Sequence, residues 1–114
     1  MSQPLYHHVV ARAREIIEDP SRWTEGELAT DSIGASVEPT DDKAQRFCAV
    51  GALMRATSEF TSDALAAEIL AYQTHLALLD FAGVPEGQTT LERINDHQGH
   101  RAVLVIFDEF LGKR

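Results

Sequence analysis

The chain has 114 residues, 44% of them hydrophobic and 25% charged, a balance that fits one globular domain over 1–114 and excludes whole-chain disorder. Its formal charge of −8 repels phosphate backbones, and its ten Lys and Arg form no basic stripe, so no nucleic-acid partner is expected. The single cysteine, Cys48, cannot close an internal disulfide, no basic-then-apolar leader opens the sequence, and no apolar run nears the ~20 residues of a membrane helix. By elimination, a cytoplasmic protein without membrane association is expected.

Apolar residues Leu5, Val9, Ala13, Ile16 and Ile17 recur at spacings of three and four and predict a first helix from about Gln3 to Glu18, which Pro20 stops. Residues 21–40 carry Gly26, Gly34 and Pro39 among many Ser, Thr and Asp residues, and keep neither period. They predict one long structured connection, with a short hairpin around Asp31 to Ser36 and Trp23 as the side chain that pins it. A second helix is predicted to start near Thr40 to Asp42, where Asp42 and Gln45 have nearly capping-box spacing. From Ala44 to Ala56 it is apolar around most of its circumference, the mark of a central helix. Gly51 in its middle costs about 1 kcal/mol against alanine, and a close helix crossing would explain it.

A third helix is predicted over 62–82, capped by Thr61 or Ser62, with Asp63 in its first turn and Gly83 at its C-terminal end. Leu65, Ile69, Tyr72, Leu76 and Leu79 mark one apolar stripe along it, flanked by Ala66, Leu70 and Ala77. Thr89 to Glu92 predicts a single helical turn through Ile94, and Asn95 to Gly99 a turn. Arg101 to Leu111 predicts the last helix: Val103 to Phe107 alone would suit a strand, but Phe110 and Leu111 restore the helical period. The fold expected is all-α, an irregular bundle of four main helices with one long structured loop.

Three constellations could carry chemistry. Cys48, followed in sequence by His75 and Asn95, has the order of a thiol hydrolase or transferase, in which histidine takes the thiol proton and a third group orients the imidazole. Against this, Cys48 sits among Phe47, Val50 and Leu53, as a buried structural cysteine would, several residues into the predicted helix and beyond the reach of its dipole. His97 and His100, with Asp96, could ligate a metal if one helix face held them, but Gly99 lies between the two histidines. Asn95 and Asp96 are good capping residues just before the last helix. No motif calls for a cofactor.

Three groups of residues carry a resemblance: Trp23 to Gly26; Phe47-Cys48-Ala49-Val50-Gly51-Ala52-Leu53; and Ile94-Asn95-Asp96 followed by Arg101 and Val103. Together they resemble a family of small bacterial and phage proteins known only as a domain of unknown function. Ile94 stands where that family often has tryptophan, and His97-Gln98-Gly99-His100 precedes the arginine. The resemblance implies an all-helical fold and a spatial cluster of Trp23, Cys48, Gly51, Asn95 and Asp96. It implies no activity. The leading functional expectation is a non-enzymatic binding or regulatory protein, with a protein or small-molecule partner and an apolar helix face suited to a homodimer. The thiol-dependent enzyme and the metal-binding protein are the alternatives.

Overall fold

The computed structural model describes residues 4–85 and 87–112. The first helix, α1 (Pro4–Ile17), buries Val9, Val10, Ala13, Ile16 and Ile17 on one face. Leu5 of the predicted face is half exposed, and Gln3, the predicted start, lies outside the described residues. Beyond α1, the Asp19 carboxylate accepts the Ser21 N–H and opens a single 3-10 turn at Pro20–Arg22, which delivers Trp23 to the core.

The connection after Trp23 is ordered by backbone pairing. Strand β1 (Ala29–Thr30) runs antiparallel to β2 (Arg46–Phe47), with Ala29 opposite Phe47 and Thr30 opposite Arg46. Between them the chain turns at Asp31, whose Oδ1 accepts the N–H groups of Ile33 and Ala35, and Thr30 bridges Ser36. The hairpin turn around Asp31 to Ser36 is thus present, with Gly34 at φ +90°.

The second helix departs from expectation. It is α2 (Ala49–Phe60), starting well after Thr40 to Asp42, with Cys48 as its N-cap. The physical reason is competition for N–H groups. The Asp41 side chain takes the Lys43 N–H, and the Gln45 N–H goes to the Thr30 carbonyl, so residues 41–47 cannot build a helical ladder. From Ala49 onward the helix buries Ala49, Gly51, Ala52, Leu53, Ala56 and Thr57, and it packs against α1, α3 and α4.

Helix α3 (Ala64–Phe81) is capped by Asp63, one residue beyond Ser62, the later of the two caps expected; its carboxylate accepts the Leu65 and Ala66 N–H groups. It ends at Gly83 (φ +78°), where Val84 N–H returns to the Leu79 carbonyl. Its buried side is Ala67, Ala71, Thr74 and Leu78. Helix α4 (Leu91–Gln98) absorbs both the predicted single turn and the turn predicted at Asn95, and the Thr90 side chain caps it by accepting the Arg93 N–H. Gly99 (φ +93°) breaks the chain's helical path, and α5 (His100–Phe110) follows with Val103, Phe107 and Phe110 buried. Residues 102–107 are therefore helical. Among the described residues the fold is mostly helical, with five α-helices and a two-stranded sheet where four main helices were expected, and one core joins α1, α2, α3, α4 and α5. No described helix is long and apolar enough to cross a membrane.

Candidate functional site

The residues singled out around Cys48 and Asn95 meet where α2 begins. Asn95 lies in the last turns of α4, not before the final helix, and its side chain is completely buried. Its Oδ1 accepts the Trp23 indole N–H at 2.7 Å and the Ala49 backbone N–H at 2.9 Å. Its Nδ2 donates to the Thr24 carbonyl and to Asp96 Oδ1, both at 3.1 Å. Both hydrogens of the amide and both lone pairs of its oxygen are thereby used. Ala49 is the first residue of α2, so Asn95 caps that helix from a distance of 46 residues in sequence. The role foreseen for Asn95, capping the last helix, is taken by Gly99, which offers no side chain to do it.

Asp96 continues the lock on the other side of the chain. Its Oδ1 accepts the Gly26 N–H at 2.9 Å. Cys48 and Gly51 complete the cluster: Cys48 Sγ accepts the Gly51 N–H at 3.3 Å, and the Cys48 N–H donates to the Leu28 carbonyl at 3.1 Å. A Cβ on Gly51 would stand 1.9 Å from that same carbonyl oxygen. The glycine does permit a close approach, but of the Leu28 backbone and not of another helix.

Cys48 is thus a helix cap and not a residue inside a helix. That places it where a dipole could favour a thiolate, yet burial acts more strongly and pushes the thiol up to about 11. The carboxylates of Glu92 and Asp96 act in the same direction. The crevice beside the thiol, about 240 Å³, is lined by Gly26, Glu27, Leu28, Glu92 and Asp96, with no histidine.

The histidines are employed elsewhere. His75 Nε2 accepts the Leu91 N–H at 3.1 Å, tying α3 to the first turn of α4, and its protonation is suppressed by burial. His100 Nε2 meets the Ile17 carbonyl at 2.6 Å, satisfying the C-terminal end of α1, and its ring packs against Trp23 at 5.5 Å. His97 is exposed at the end of α4. Among the described residues no group of three or more His, Cys, Asp or Glu side chains could hold a metal ion.

A family model matches residues 1–109, a span that contains Trp23, Cys48, Gly51, Asn95 and Asp96. The chain belongs to this family of unknown function (DUF6197). No curated protein and no solved structure matches it. In this member of DUF6197, the span includes every element of the lock and all of α5 but Phe110.

The second surface of note lies on α3. Leu65, Ile69, Tyr72 and Leu76 are 65, 49, 61 and 45% exposed. They are four of the five residues of the stripe read from the sequence, the fifth, Leu79, being partly buried, and they face away from the core, the reverse of the usual arrangement. At its C-terminal end the stripe opens into a groove of about 490 Å³ lined by Tyr72, Leu76, Leu79, Val84 and Pro85, with His75 at its wall. Nothing in the periodicity could have revealed this exposure. The side carrying Ala67, Ala71 and Leu78 is apolar as well, and either face could have been the buried one.

Proposed function

We propose that the chain is a non-enzymatic cytoplasmic binding or regulatory protein whose working surface is the outer face of α3. The observation that carries this reading is the row of four large apolar side chains left in water on one helix. Scattered exposed apolar residues are ordinary, but a contiguous patch on a small protein marks an interaction site. The groove at the end of the row is within the range of ligand-sized pockets, about 300–1,000 Å³.

The chemistry-bearing residues support the same reading by being occupied. Asn95 has no free hydrogen-bonding capacity, the Cys48 thiol is held protonated, and His75 and His100 are engaged with the backbone. A photo-activated cross-linking residue placed at 69, with a control at exposed Glu109 on α5, tests the assignment in cells. A discrete adduct from position 69 and none from position 109 is the expected result. No adduct from 69, or equal labelling from both positions, would refute the proposed surface.

A further inference from the structure

Charge is spread unevenly along the chain. Glu59, Asp63, Glu68, Asp80, Glu86 and Glu92 lie between Arg55 and Arg93 with no Lys or Arg among them, so most of the net charge of −8 belongs to this stretch. Helix α3 runs through its middle. The groove at the end of α3 is lined by that helix and by the segment leading into α4.

The groove therefore has a sign. Asp80 is the one side chain with a full charge among its described lining residues. It is exposed, and its carboxylate has no ion-pair partner among the described residues. The groove also lies at the C-terminal end of α3, the negative end of the helix dipole, and the last turn of α3 holds no basic residue to complement it. A cation placed there meets both Asp80 and the dipole, whereas an anion is repelled by both. The Glu92 carboxylate, whose field reaches His75, adds to the same potential.

The rest of the lining is mainly apolar or aromatic. Leu76, Leu79, Val84 and Pro85 offer hydrocarbon, and the Tyr72 and His75 rings meet edge to face at 6.3 Å. His75 brings no positive charge, because its Nε2 accepts the Leu91 N–H. Such a wall suits an aliphatic or aromatic body, and the face of a tyrosine ring itself attracts a cation. A volume of about 490 Å³ is the size of a small-molecule site.

Resting on the proposed working surface, we infer that this groove binds a small organic amine, its apolar body against Tyr72, Leu79 and Val84 and its ammonium directed to Asp80. The exposed ion pair and the helix dipole are each weak, so together the positive charge is worth about fivefold in affinity at low salt.

Amide shifts of the isotope-labelled full chain, titrated with phenylbutylammonium chloride at low salt, test the site. Neutral phenylbutanol and anionic phenylbutanoate are the matched controls. Saturable shifts around Tyr72, Leu79, Val84 and Thr89 are expected, with a dissociation constant that is roughly millimolar or tighter for so small a probe. The amine should bind about fivefold more tightly than the alcohol, and the butanoate most weakly. Asp80→Asn, at an exposed position, should bring amine and alcohol to within about twofold while the alcohol's affinity stays unchanged. No saturable shift with the amine, equal affinity for amine and alcohol in the native chain, or a preference that survives Asp80→Asn would overturn the inference. If the amine fails while position 69 still yields a protein adduct, the ligand class falls and the working surface survives. If the amine binds with the expected preference while position 69 yields no adduct, the groove stands and the protein-binding row falls.

Discussion

The start of α2 and the outer face of α3 are opposite in how they treat water. Around Asn95, polar groups from Trp23, Thr24, Ala49 and Asp96 are gathered where most of them are withdrawn from solvent, and each has a partner. Along α3, large apolar side chains are left about half exposed to solvent, uncovered by the described residues. The residues whose types suggest chemistry do structural work, and the residues whose types suggest a core are at the surface. A polar side chain with every valence satisfied has nothing left to offer a ligand. An exposed apolar row still has its burial free energy to gain, about 25 cal/mol for each Å² it can hide.

This contrast predicts that substitutions in the lock destabilise the fold and substitutions on the stripe do not. The largest effect belongs to Gly51→Ala. Its Cβ would overlap the Leu28 carbonyl, a backbone atom that cannot swing aside without breaking the Cys48 N–H bond to the same oxygen. A loss of about 3 kcal/mol or more in urea unfolding is expected, at the upper end of overpacking costs. A loss below about 1 kcal/mol would mean that the approach of α2 to Leu28 is looser than drawn.

Asn95→Ala comes next, because it strands the Trp23 indole N–H and the Ala49 N–H together. At about 1–3 kcal/mol for each stranded donor, a total near 3 kcal/mol is expected. Asn95→Asp separates the two halves of the amide. It keeps an acceptor for both N–H groups but turns an oxygen toward the Thr24 carbonyl and the Asp96 carboxylate. It should therefore also destabilise, and its deficit should shrink as acid protonates the introduced carboxyl. Equal deficits for Asn95→Asp at pH 5 and pH 8 would contradict that account.

Cys48 gives a kinetic version of the same comparison. With its pKa raised from 9.0 to about 11, the folded protein holds about a hundredfold less thiolate at neutral pH than a free cysteine. Iodoacetamide should modify the native chain at least a hundredfold more slowly than the urea-unfolded chain. A native rate equal to the unfolded one would reopen the thiol chemistry.

Much of the fold was readable because it depends on local pattern. The face of α1, the ends of α3 at Asp63 and Gly83, and the helical period of α5 are all written within a few residues of where they act. The start of α2 was not readable, because residues 46–47 are held extended by partners at 29–30, and that pairing is invisible to local period. The co-location of Trp23, Cys48, Gly51, Asn95 and Asp96 came from the family resemblance. Its mechanism did not, since three of the groups that complete it are backbone atoms of Thr24, Leu28 and Ala49, which leave no signature in residue type.

A smaller effect distinguishes the polar seam between α3 and α4 from both regions. His75 must be neutral at Nε2 to accept the Leu91 N–H, and burial lowers its pKa below 6.5. The unfolded chain then binds a proton at a higher pH than the folded one. The contribution of His75 is fully present above pH 6.5 and is lost as the pH falls through and below that value. Stability measured from pH 7.5 down to 5 should fall more steeply for the native chain than for His75→Gln, whose side chain does not titrate. Identical slopes would show that His75 takes up its proton equally easily in the folded and unfolded states.

The smallest effect is the most informative about α3. Ile69→Lys replaces a large apolar residue in the middle of an apolar helix, which in a core would cost several kcal/mol. At a half-exposed position on the outer face it should change stability by less than about 0.5 kcal/mol, and lysine's slightly better helix propensity works in its favour. Leu78→Ala, on the same helix but completely buried, should cost about 2–5 kcal/mol. The measurement belongs at low micromolar protein, because self-association would add stability by mass action and make Ile69 look structural. If Ile69→Lys destabilises the dilute monomer as much as Leu78→Ala does, the outer face is already packed against something within the chain. Its apolar row would then carry no claim to a partner.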